Sequence, residues 1–154
     1  MNNQKGFSLL GVMVAVFLIS MGLVAILSLA NYSLRAATLS KNKTTASFLA
    51  QEGIEAVRYI RESQSDWNAW YNSINSGSYR IRYNSGLFGF VDTPLLINSN
   101  GFYQYSSGAA TPFYRRIILN KISANELSVS AEIKWQDRGQ WHYLTAEDRL
   151  WNWK

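Results

Sequence analysis

Three rhythms of apolar and polar residues follow one another along this chain. From Phe7 to Ala30 the run FSLLGVMVAVFLISMGLVAILSLA holds 24 residues with no charge and no proline. A helix of that length spans a bilayer hydrocarbon core of about 30 Å, which predicts a membrane segment over 7–30. Past Ala30 the run becomes a stripe at helical spacing, formed by Leu39, Ala46, Leu49, Ala50, Gly53, Ile54, Val57 and Ile60. Lys41, Lys43, Glu52, Glu55, Arg58 and Glu62 lie largely off it. The helix is therefore expected to continue over 31–63, until Ser63-Gln64-Ser65-Asp66 breaks the period. Glu55/Arg58 and Arg58/Glu62 are spaced for weak surface pairs, while Gly53 and Thr44-Thr45 weaken the helix locally.

The third rhythm has period two. Residues 64–112, rich in Asn, Ser, Gly and Tyr, predict a variable loop with short strands at Tyr79–Tyr83, Leu87–Val91 and Phe102–Tyr105, entered through Trp67, Trp70 and Tyr71. Over 113–154 the alternation is regular. Phe113, Arg115, Ile117 and Leu119 oppose Tyr114, Arg116 and Ile118, and Leu127, Val129, Ala131, Ile133 and Trp135 oppose Ser128, Ser130, Glu132 and Lys134. Gln136-Asp137-Arg138-Gly139 predicts a turn and Trp141–Thr145 a returning strand. An antiparallel meander with one apolar face needs a cover, and the stripe of the preceding helix supplies one. The expected class is α+β, a long N-terminal transmembrane and then amphipathic helix packed on a C-terminal antiparallel β-meander.

Composition narrows the function. Once a membrane span is set aside, 154 residues leave room for one small core, and an aromatic content of 14% lets such a core bury large rings. There is no cysteine, which removes disulfides, thiol catalysis and cysteine-based zinc sites. The formal charge of +5 includes Lys5, and the basic residues are scattered, with Arg80/Arg82 and Arg115/Arg116 as the close groups. A nucleic-acid binder concentrates them on one face, so nucleic acid is not an expected partner.

Ser28-Leu29-Ala30 offers a small-x-small ending of the kind signal peptidase prefers, but the apolar run is longer than the roughly 7–15 residues of a secretory signal. With Lys5 ahead of the span, the positive-inside rule puts the short leader in the cytoplasm and the bulk of the chain outside. A polar leader ending Lys5-Gly6, followed by Phe7-Ser8-Leu9-Leu10 and an unbroken apolar helix, resembles the prepilin cleavage and methylation signal of type IV pilins and type II secretion pseudopilins. The resemblance implies the pilin fold, residues 1–6 as a leader peptide, cleavage between Gly6 and Phe7 by a prepilin peptidase, and N-methylation of Phe7. Glycine suits that place because, without a side chain, it lets backbone approach closely in a protease cleft.

Five residues into the implied mature chain the family usually carries Glu, and this sequence has Gly11. In the family that carboxylate is thought to pair with a neighbouring subunit's N-terminal amine, and some minor subunits, notably the tip pseudopilin, lack it. Gly11 thus points to a minor or initiating subunit, or to filaments that do without the pair. Ala50-Gln51-Glu52-Gly53-Ile54-Glu55-Ala56-Val57-Arg58 resembles the A-x-E-G-I-E-x-x-R stretch of minor pilins known as type IV pilus modification proteins. Arg149-Leu150-Trp151-Asn152-Trp153 resembles their L-x-x-W close, in which the final segment docks beside the sheet.

The partners implied are the prepilin peptidase, other pilin subunits through the N-terminal helix, an inner-membrane assembly platform, and the lipid bilayer before assembly. The implied location is the cytoplasmic membrane, single-pass with the C-terminal domain outside, and then an extracellular pilus or pseudopilus. The alternative is a membrane-anchored extracellular binding module outside any filament. No catalytic residue, metal or cofactor is expected. Glu52 and Glu55 sit three apart with no His, Cys or third acid spaced to join them, and His142 reads as an ordinary strand residue.

Overall fold

The computed structural model describes residues 9–82 and 86–153. Helix α1 runs Leu9–Glu62 and divides between two compact units at Lys41/Asn42. In the first unit every residue from Leu9 to Thr38 is exposed.

The second unit opens with the rest of α1 and a short helix α2, Trp67–Ser73, which the sequence reading placed inside a loop. Asp66 caps it by accepting from the Asn68 amide at 2.8 Å. Its rings form a cluster: Trp67 stacks on Tyr71 at 5.3 Å and meets Trp70 edge-on at 5.6 Å. Trp67 Nε1 donates to the Ala124 carbonyl and the Tyr71 hydroxyl to the Ser123 carbonyl, so α2 grips a distant turn of the sheet.

Seven strands follow: β1 Gly77–Arg82, β2 Gly86–Gly89, β3 Pro94–Ile97, β4 Tyr103–Gln104, β5 Ala109–Ser123, β6 Glu126–Asp137 and β7 Gln140–Trp151. All pair antiparallel in one sheet. Ile117 is partner to Ala131 of β6 and to Tyr79 of β1, while Tyr114 is partner to Lys134 of β6 and to Pro94 of β3. Long β5 therefore gives one edge to β6 and divides its other edge between the β1–β2 and β3–β4 pairs. The segment expected to be mainly a loop builds four of the seven strands, all short, and β3 was not anticipated. Tyr83, the expected end of the first strand, lies outside the described residues.

The β5–β6–β7 meander is longer than its periodicity suggested. Its last turn has Arg138 at φ 49° and Gly139 at φ 83°, the left-handed pair that a two-residue hairpin requires. Arg149, Leu150 and Trp151 continue β7, paired with Ser128, Leu127 and Glu126, which corrects the expectation of a separate segment docked beside the sheet. The reason is register: the apolar alternation extends along β6 back to Leu127, and β7 follows it. Gly108, at φ 128°, passes so close to β3 that a Cβ there would collide with the Ile97 carbonyl.

On one face of the sheet Phe113, Ile117 and Leu119 of β5 and Leu127, Val129, Ala131, Ile133 and Trp135 of β6 are buried. Ala46, Leu49, Ala50, Gly53, Ile54 and Val57 of α1 are buried with them. The stripe departs from expectation at its end, where Arg61 is buried and Ile60 only half-buried. The Arg61 guanidinium lies between the rings of Trp67 and Trp153, at 5.4 and 5.2 Å, where aromatic faces replace part of its hydration.

Candidate functional site

Two regions carry the sequence-predicted site residues: the apolar run, and the stretch Ala50–Arg58. Lys5, Gly6 and Phe7 lie outside the described residues. Gly11 is in α1, exposed, with nothing within 4 Å of where a Cβ would be, and the first turn of the helix holds no acidic residue. From Leu9 to Leu34 no residue is charged. Two hydroxyls of this unit are satisfied within the helix, Ser20 Oγ donating to the Val16 carbonyl at 2.7 Å and Thr38 Oγ1 to the Leu34 carbonyl at 3.0 Å. Such back-bonding lets a hydroxyl enter an environment without water. The helix is long and apolar enough to cross a membrane, and its large side chains are exposed on all sides of this stretch.

In the Ala50–Arg58 stretch each residue type has a use. Ala50, Gly53 and Ile54 face the sheet. A Cβ on Gly53 would stand 2.8 Å from Ile117 Cδ1, 3.2 Å from Arg115 Cδ and 3.5 Å from Ala131 Cβ, so the glycine sets how closely the helix approaches β5 and β6. Glu52 accepts from Arg115 Nη1 at 3.0 Å. The buried Arg115 also donates to the carbonyls of Leu49, at 3.3 Å, and Ile81, at 3.2 Å. Arg58 donates to Glu55 at 2.6 Å and to Asp148 of β7 at 2.7 Å, whereas Glu62, its other expected partner, does not pair with it. The hydrogen bond to Asp148 holds the Arg58 guanidinium above its ordinary pKa, against some desolvation.

The two carboxylates three apart thus anchor separate arginines and form no acid/base pair. Sequence reasoning missed Arg115 as the sheet-side partner of Glu52 and Asp148 as that of Arg58. The signal was present in Arg115, a cation at an apolar-face position of β5. Tyr105, whose hydroxyl donates to the Arg115 carbonyl at 3.2 Å, has its phenol pKa pushed up by burial, with Arg115 opposing. His142 stacks on Trp135 at 5.3 Å and 20°. Among the described residues no group of three or more His, Cys, Asp or Glu is placed to hold a metal ion.

Residues 1–27 match the family model described as the prokaryotic N-terminal methylation motif. No curated protein and no solved structure matches the chain.

Proposed function

We propose, starting from the N-terminal methylation motif matched over residues 1–27, which supports assignment to the type IV pilin and prepilin family, that the chain is a minor structural subunit of a pilus or pseudopilus. The observation that carries this reading is the continuity of the matched motif with an uncharged helix that the fold itself leaves uncovered. Prepilin peptidase cuts between Gly6 and Phe7, with Lys5 on the cytoplasmic side, and Phe7 is then N-methylated. The apolar half of α1 leaves the bilayer, with the assembly platform's help, to pack among other subunits' helices in an extracellular filament. The second unit is carried outside as a folded body.

Gly11 supports a place at or near the tip. In an assembled stem each N-terminal amine enters an apolar layer, where an unpaired charge costs several kcal/mol. A subunit lacking the carboxylate cannot neutralise a neighbour's amine, so a uniform stack would repeat that cost at every interface. A tip subunit has no such neighbour and takes a carboxylate from the subunit below for its own amine.

Mass spectrometry of the mature N-terminus tests the first part: a chain beginning at methylated Phe7 is expected, and one beginning at Met1 or Asn31 overturns it. Immunogold labelling of sheared filaments tests the second. Label confined to ends is expected, and label along the whole shaft rejects the tip position while leaving the subunit assignment standing.

A further inference from the structure

The face of the sheet turned away from α1 is ordered as closely as the core face. Tyr114, Lys134 and Tyr143 form one cross-strand row over β5, β6 and β7, and Arg116, Glu132 and Thr145 form the next. The Tyr114 ring meets Trp141 edge-on at 5.7 Å, and Lys134 Nζ lies 5.0 Å from the first ring and 5.1 Å from the second. Above the second row Phe90 covers the Arg116 guanidinium at 5.8 Å. Both rows apart from Thr145, together with Phe90, Asp92 and Arg115, line an open cleft of about 210 Å³.

The polar groups of this cleft are already fixed. Arg116 Nη2 donates to both oxygens of Glu132, at 2.8 and 3.0 Å, and Lys134 Nζ donates to Asp92 at 2.6 Å. Arg116 and Lys134 are cancelled by Glu132 and Asp92, and Arg115, the third cation of the lining, is answered by Glu52, so a phosphate, a nucleic-acid backbone or an acidic sugar meets no net attracting charge. The same groups are strong acceptors and donors held in place, which suits a neutral ligand rich in hydroxyls because no ordering cost falls on the protein side. The rings meanwhile stay in water: Tyr143 is 62% and Trp141 44% exposed. Flat aromatic faces beside oriented charged acceptors match a sugar ring, which presents C–H groups on its faces and hydroxyls around its rim. The cleft is smaller than the roughly 300–1,000 Å³ of sites for drug-sized ligands, and suits one ring.

We propose that the cleft between Tyr114, Tyr143 and the Arg116/Glu132 and Lys134/Asp92 pairs is a binding site for a neutral saccharide. It goes beyond the filament role and does not depend on shaft or tip position.

The test is full-length protein, purified in a detergent without a sugar headgroup and applied to a printed array of neutral and acidic glycans, with hits titrated by tryptophan fluorescence. Binding to neutral glycans is expected, weakened at least about tenfold by Tyr143→Ala and by Glu132→Gln. Phe102→Ala, an exposed ring outside the cleft, is expected to leave it unchanged. Tyr143 is exposed enough for its loss to leave the circular dichroism spectrum intact, so lost binding in that variant reports on the site. Absence of any neutral-glycan binding, preference for acidic glycans, or full binding by Tyr143→Ala each overturns the proposal.

Discussion

The two ends of helix α1 obey one backbone geometry and meet two different solvents. Around Leu18, 61% exposed, large apolar side chains point in every direction; around Leu49, 2% exposed, they form a single stripe against a sheet. Glycines show the same contrast. Gly11 and Gly22 have nothing within 4 Å of a notional Cβ, whereas Gly53 has three side chains there. Being helical therefore says little about what a segment is for, and the distribution of apolar side chains around the axis says more. The first stretch leaves its apolar surface uncovered, and the second buries its apolar stripe within its own unit.

The sharpest way to break this contrast is one substitution in both places. Leu49→Arg puts an unpaired charge into the core and is expected to cost more than about 4 kcal/mol, enough to unfold the second unit. Leu18→Arg is expected to leave that unit folded and to cost about 3 kcal/mol of membrane insertion instead. All six tryptophans lie at or beyond Trp67, so their fluorescence reports on the second unit, while carbonate extraction reports on the first. Equal effects of both variants on the fluorescence transition would erase the distinction.

Gly53→Val asks whether the close approach is needed. The added methyls meet Ile117 and Arg115, and a loss of about 2–3 kcal/mol in denaturant unfolding is expected, against little change for Gly22→Val. The ion pair is a finer probe. Glu52→Gln leaves the Arg115 guanidinium, whose side chain is 1% exposed, with only carbonyl partners, and is expected to cost about 2 kcal/mol. Arg115→Met removes the buried charge while keeping much of the volume, and half that loss or less is expected from the same curves. The reverse order would mean that Arg115 contributes packing more than charge.

The smallest effect concerns pH. Burial raises the Tyr105 pKa above its ordinary 10.0, so the fold favours the neutral phenol. Its contribution is fully present below pH 10 and is lost as pH rises through the folded-state value. Tyr105→Phe is therefore expected to flatten the alkaline end of the stability profile without altering it near neutrality. Identical alkaline slopes in thermal unfolding would show that the phenol is not protected.

The apolar run and the regular alternation of β6 were legible in the sequence because each is a pattern of many residues with one period. The helix–sheet arrangement followed from two apolar faces that need each other. What escaped notice rests on single residues acting at a distance. Helix α2 depends on Asp66 as a cap and on Trp67 and Tyr71 reaching carbonyls over fifty positions away, which local propensity does not encode. Strand β3 begins at a proline, a residue that argues against a central strand, and is held by the edge that β5 leaves open. The extension of β7 through Trp151 was hidden because its apolar positions are interrupted by Asp148, whose charge is answered by Arg58 on the helix.

That ion pair also carries a timing. Asp148 is synthesised 90 residues after Arg58, and Arg115 63 residues after Glu52. At ~5–20 residues per second, the stripe of α1 waits several seconds for the strands that cover it. During that interval Leu49, Ile54 and Val57 form an adhesive surface on an unfinished chain, and whatever shields them must act before β5 exists. A chain stopped before Arg115 would hold that surface open.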